Sequence, residues 1–242
     1  YMADLNPIYN STLTCPVCEK KIEVSKVRSR FVKLISQDED FCPYYETYNP
    51  VLYEAWVCKY CGYAAHSTVF AEAGKNDSRQ VLEKIKPKWT SRDFTGERDI
   101  NKALEAFKIV LYNLQVRRAP FSEFGKICLR IAWLYRYNGE WVNEYKYMKH
   151  SYDYYKKAYS REYLSKGKLD EYTLTYILGE LARRLELYNE ALQWFGKLIT
   201  ASANPEEKLK IQPRLIELTK DQIHITREKM KAKDKKSAAI NE

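Results

Sequence analysis

A chain of 242 residues with 45% hydrophobic and 30% charged side chains and only 8 Gly and 8 Pro has the make-up of a helix-rich folded protein, which excludes disordered and collagen-like classes. Its length suits a small and a medium domain with separate cores. The net charge of +9 is uneven: residues 1–75 carry 8 basic and 9 acidic side chains, residues 76–242 carry 33 and 23, so the basic part is the C-terminal part.

No run approaches the roughly 18 apolar residues of a membrane helix, and Tyr1–Ser11 lacks the apolar centre of a secretory signal. A cytoplasmic location, with no membrane partner, is the expectation. Six cysteines are too few for a disulfide scaffold in a chain this long.

From Cys15 to Phe70 short alternating runs read as strands: Ile22 and Val24, Phe31 to Ile35, and Val51 to Val57 running into Cys58. The acidic run Ser36-Gln-Asp-Glu-Asp40 and Tyr48-Asn-Pro50 read as turns between them. Residues 1–75 are therefore expected to form a small β-rich domain. Residues 76–96 show no period and read as a linker or crossover. Beyond them the spacing becomes helical, with Ile100, Ala103, Leu104, Phe107 and Leu111 on one face. Helices are expected near 97–117, 121–138, 141–165, 170–187, 189–202 and 205–233, with breaks at Ala119-Pro120, Asn138-Gly139, Ser165-Lys-Gly167 and Asn204-Pro205. The helical domain is placed at 97–236 and a disordered tail at 237–242.

Cys15-Pro-Val-Cys18 and Cys58-Lys-Tyr-Cys61-Gly62 are two tight turns that can each present two sulfurs to one ion, and together they fill a tetrahedral shell. Cys15, Cys18, Cys58 and Cys61 are thus the predicted ligands of one structural Zn²⁺. Iron in the same shell would make a rubredoxin-like redox protein, against which stands Glu19 where a knuckle usually has Gly. Cys42 and Cys128 read as buried packing residues, and His66, His150 and His224 show no ligand or catalytic spacing.

The segment Tyr176-Ile-Leu-Gly-Glu-Leu-Ala182 with Tyr188, Ala191, Phe195 and Asn204-Pro205 matches tetratricopeptide positions. Ala132, with Gly139, Trp141 and Met148, marks an earlier and weaker unit in which Glu144 replaces a small residue. Such an array would line a groove with Lys126, Trp133, Arg136, Thr173, Tyr176 and Arg183, suited to an acidic peptide or a C-terminal carboxylate. The alternative partner is nucleic acid: Tyr135 to Tyr176, interleaved with Lys and Arg, can stack on single-stranded RNA.

Cys15-Pro-x-Cys18, Asp38-Glu-Asp40, Pro50 and Trp56-Val-Cys-Lys-Tyr-Cys-Gly-Tyr-Ala-Ala65 resemble the bacterial family catalogued as domain of unknown function 2225, over nearly the whole chain. That resemblance implies a cytoplasmic bacterial protein with a zinc-ribbon-like head and a tetratricopeptide-like body, with the four cysteines as ligands. Cys42 departs from the family pattern. The combined expectation is a mainly α protein, non-enzymatic, acting as a metal-binding adaptor for a protein or peptide.

Overall fold

The computed structural model describes residues 5–164 and 169–240. The fold is mainly α, with three small antiparallel strand pairs gathered near the N-terminus. β1 (Ile8–Thr14) pairs with β2 (Lys21–Val27) in the register Ser11↔Val24, and alternation along β2 buries Ile22 and Val24. β3 (Leu34–Gln37) pairs with β4 (Pro43–Tyr45), and β5 (Ala55–Val57) with β6 (Ala64–His66).

Two expected strands are shorter than their apolar runs. Phe31 belongs to a 3-10 turn, Ser29–Phe31, and β3 starts only at Leu34. Pro50–Tyr53 is a second 3-10 turn because the Asn49 side chain accepts a hydrogen bond from the Val51 amide at 2.9 Å and Pro50 fixes the first φ.

The expected linker is a correction. Residues 76–96 contain helix α1 (Lys75–Lys84) and a 3-10 turn, Lys86–Lys88, and they supply core residues. Val81 and Ile85 pack with Tyr63, Phe70 and the cysteines, and Phe94 is buried as well. Arg98 is buried too, its Nη1 donating to the carbonyls of Leu52 (3.2 Å) and Ala55 (2.8 Å). The segment shows no period because it reaches the core through single residues at irregular intervals rather than along one helix face.

Helix α2 (Ile100–Arg117) begins at Asp99, whose carboxylate accepts from the Lys102 amide at 2.7 Å. It buries Ala103, Leu104, Phe107, Val110 and Leu114, and packs on β5, β6 and α3 (Phe121–Tyr137). Helix α4 (Trp141–Arg161) follows Gly139, whose φ of 71° makes the turn. The chain divides into two compact units, Tyr1–Tyr147 and Met148–Glu242, so the first unit holds all the strands together with α1, α2 and α3. The division expected near residue 76 therefore falls inside α4: α2 packs on both β5 and β6 and on α3, which joins the helices to the strands in one unit.

In the second unit α5 (Glu171–Arg184) and α6 (Tyr188–Ala203) form an antiparallel pair, followed by the single turn α7 (Pro205–Lys208) and α8 (Pro213–Ile240). A Cβ added to Gly179 would lie 2.5 Å from the Phe195 ring, so the missing side chain sets how closely α5 and α6 approach. Pro213 splits the helix expected at 205–233. Beyond it α8 runs through residues 237–240, where a disordered tail is expected; Ala238 and Ala239 favour helix, and neither Gly nor Pro interrupts it. The predicted break Ser165-Lys-Gly167 lies outside the described residues.

Candidate metal centre

The two Cys-x-x-Cys turns sit at the ends of two different hairpins, Cys15 and Cys18 between β1 and β2, Cys58 and Cys61 between β5 and β6. Their backbones match. The Cys15 amide donates to the Lys20 carbonyl (3.0 Å) and the Glu19 amide to the Cys15 carbonyl (2.9 Å), while Cys58 donates to Tyr63 (2.8 Å) and Gly62 to Cys58 (2.9 Å). Each turn closes with a left-handed residue, Glu19 at φ 59° and Gly62 at φ 74°. The first knuckle thus adopts with Glu19 the conformation for which Gly is usual, and Glu19 carries no weight against iron. Only the second knuckle needs glycine for space: a Cβ on Gly62 would lie 2.6 Å from the Trp89 ring.

The four sulfurs converge. Cys15 and Cys61 Sγ are 3.8 Å apart, Cys18 and Cys58 Sγ 3.6 Å, and all four lie within 4.8 Å of one another. A tetrahedron with metal–sulfur bonds of about 2.3 Å sets its sulfurs about 3.8 Å apart, so the set fits a four-coordinate thiophilic metal. These distances are far beyond a disulfide, and all six cysteines are free. Cys15, Cys58 and Cys61 are fully buried, with Val17, Ile22, Val24, Tyr63, Phe70, Val81 and Ile85 around them. The Cys15 and Cys61 thiols beside Cys58 hold its sulfur as thiolate, whereas the hydrogen bond with Cys15 pushes Cys61 up. Binding a divalent cation would displace the remaining protons.

Further contacts fix the second knuckle from outside. Trp89 Nε1 donates to the Lys59 carbonyl (2.8 Å) and Asn113 Nδ2 to the Gly62 carbonyl (3.0 Å). Neither Trp89 nor Asn113 was legible as a site residue: each lies far along the chain from the cysteines.

Within the first unit, Cys42, Cys128 and His66 lie outside the group of four sulfurs. Cys42 is buried against Tyr137 Oη (3.4 Å), and burial pushes both it and Cys128 up to about 12. His66 is buried in a polar knot. The Thr68 amide can only donate, so His66 Nδ1 accepts from it (3.2 Å) and Nε2 carries the proton toward Glu54 Oε2 (3.1 Å). Arg130 Nε meets the same carboxylate oxygen at 2.6 Å.

The residues predicted to line the partner groove make contacts within the chain. Trp133 and Arg136 are occupied by the chain's own acidic turn between β3 and β4. Trp133 Nε1 donates to Asp40 (3.1 Å), and Arg136 reaches Asp38, Asp40 and Glu144, each at 2.7 Å. Lys126 Nζ lies 3.3 Å from Thr68 Oγ1. Tyr176 is fully buried beside Phe195, Arg183 donates to buried Glu180 (2.6 and 2.8 Å), and Thr173 hydrogen-bonds the capping Asp170. Arg136 and Arg183, two of the three cations expected to recruit an acidic partner, recruit internal carboxylates, because a buried guanidinium must be paired.

A family model described as an uncharacterized protein conserved in bacteria, DUF2225, matches residues 8–226. The chain belongs to this family. No curated protein and no solved structure matches it. The four cysteines, the Asp38–Asp40 turn and the Trp56–Ala65 string on which the resemblance rested all fall within the DUF2225 match. Cys42, which stood outside that pattern, is a core residue of this DUF2225 chain.

Proposed function

We propose that this protein is a non-enzymatic, metal-organised adaptor: one structural zinc ion ties the two hairpins together, and the helical surface binds a protein or peptide partner in the bacterial cytoplasm. The observation that carries the zinc reading is the closed shell of four sulfurs, three of them fully buried, which leaves no coordination position for substrate. The close approach of α5 and α6 at Gly179 and Phe195 supports a tetratricopeptide-like body. For the partner surface, the side chains expected to line a groove are spent internally, whereas Trp141, Val142 and Tyr145 at the start of α4 are 70%, 84% and 50% exposed, an apolar patch of the kind found at interaction sites. The described helices include none long and apolar enough to cross a membrane.

Metal content and a visible spectrum of the purified protein test the first half. About one zinc per chain, no colour, and loss of metal in Cys58→Ser uphold it; iron with thiolate absorption replaces it with the rubredoxin-like electron-transfer reading, which the same sulfur shell accommodates. For the second half, a partner captured by wild type should be lost with the triple variant Trp141→Ala, Val142→Ala, Tyr145→Ala at unchanged metal content.

A further inference from the structure

A cleft of the first unit is lined by none of the four cysteines. Helix α2 turns one stripe outward, Asn101, Glu105, Lys108 and Tyr112, at the three-and-four spacing of a single face. Lys84, Lys88, Trp89 and Arg92 line the cleft together with this stripe, as do Tyr135 and Glu140, giving a groove of about 710 Å³. That volume is in the range of ligand sites, about 300–1,000 Å³.

Its lining combines two chemistries. Four cations, Lys84, Lys88, Arg92 and Lys108, outnumber the two carboxylates Glu105 and Glu140. Three aromatic rings stand among them. Tyr112 is 49% exposed, the Arg92 guanidinium sits 5.9 Å from the Trp89 ring, and Lys108 Nζ sits 5.5 Å from that of Tyr135. Arg92 is held by Glu105, and Glu140 is held by Asn138 and Asn143, so the carboxylates are engaged while Lys84 and Lys88 stand exposed on the rim.

We propose that this groove binds single-stranded nucleic acid, with bases stacking on Tyr112 and Trp89 and phosphates meeting Lys84, Lys88 and Lys108. Cations alone would suit any polyanion. Rings set between them favour a ligand that alternates planar bases with phosphates, because every base offers a π-face while an acidic peptide offers only charge. Trp89 also covers Gly62 and bonds to Lys59, so the stacking platform is fastened to the second metal knuckle. The assignment goes beyond the adaptor reading and holds whether the metal is zinc or iron.

The test is fluorescence anisotropy of a labelled oligouridine of about ten nucleotides with the metal-loaded full chain, titrated at several salt concentrations. Three variants are compared at matched metal content and melting temperature: Lys84→Glu with Lys88→Glu, Tyr112→Ala, and, as a charge-matched control, Lys229→Glu with Lys235→Glu on α8. The groove charge pair should weaken binding about tenfold or more and lower the salt slope by about 1.4, the share of two phosphate contacts on a single strand. Tyr112→Ala should weaken it about fivefold or more at an unchanged slope. The control should stay within about twofold. Equal loss in control and groove variants, an unaffected Tyr112→Ala, absence of binding at low salt, or competition by polyglutamate or uridine monophosphate as strong as by the oligonucleotide would each overturn the assignment. Because zinc content and partner capture are measured separately, loss of this site leaves the adaptor reading standing, and the reverse.

Discussion

At the scale of single residues, glycine is needed where a side chain has no room, and two positions separate conformation from space. Glu19 and Gly62 occupy equivalent left-handed places in the two knuckles, yet only Gly62 faces a neighbour. Gly62→Ala should destabilise the first unit by about 2–4 kcal/mol, combining the left-handed strain with the clash against Trp89, whereas Glu19→Gly should be neutral or slightly stabilising. Urea unfolding of the two variants beside wild type would show the difference. The cysteines were legible because Cys-x-x-Cys spacing is a local pattern. Trp89 and Asn113 were not, since what matters about them is a contact across roughly 30 and 50 residues that no short window contains.

Glu54 supplies the pH dependence at the same scale. Burial would raise its carboxyl, but Arg130 and then His66 outweigh burial and hold it at about 2 against an ordinary 4.5. A carboxyl depressed by folding contributes stability that is complete above about pH 4.5 and fades as the pH falls toward 2. Glu54→Gln should therefore be less stable than wild type at neutral pH, and the gap between the two should narrow on acidification. Urea midpoints from about pH 6 down to 3 would measure that gap, and a gap of constant size would show that the carboxylate charge contributes nothing.

At the scale of elements, the helices were read from periodicity and the tie between turn and helix was not. Each helix from α2 to α6 announces its own apolar face, so its existence follows from a window of eighteen residues or fewer. Residues 75–98 do not, because α1 spends only Val81 on the core and the rest of the segment enters through Ile85, Phe94 and Arg98. The Asp38–Asp40 turn was legible as a turn, but its role as the acceptor for Arg136 depends on a separation of 96 residues. Arg136→Leu leaves Asp38, Asp40 and Glu144 without their cation and should cost about 3–5 kcal/mol. Adding Asp40→Asn to it should recover part of the loss, and a double-mutant cycle measures how much. In the second unit, Gly179→Ala drives a methyl into Phe195 and should cost about 1–3 kcal/mol, with Phe195→Leu in the same chain relieving part of it.

At the scale of the whole molecule, the four cysteines that could hold a metal belong to one of two compact units. Chelation should therefore lower the thermal transition of the first unit, which loses a cross-link between two hairpins, by far more than that of the second. Calorimetry with and without a chelator resolves this, and a single transition shifting as a whole would show that the two units unfold together. The distribution of charge follows the same division only loosely. The basic excess beyond residue 76 includes Lys84, Lys88, Arg92 and Lys108 in the first unit as well as the exposed lysines of α8, so net charge alone locates no surface.

The burial of sulfur turns the chain into its own reporter. Five of the six cysteines are closed to solvent, and the sixth, Cys18, is half-buried within the group of four sulfurs. An alkylating dye added to the native, metal-loaded protein should find almost nothing to label, Cys42 and Cys128 included, since neither is accessible or readily ionised. Stripping the ion should release the four shell thiols to the dye, while full unfolding should release all six. The count of reactive thiols then reads metal occupancy and unfolding of the first unit, which holds all six cysteines, as separate steps, without any engineered label.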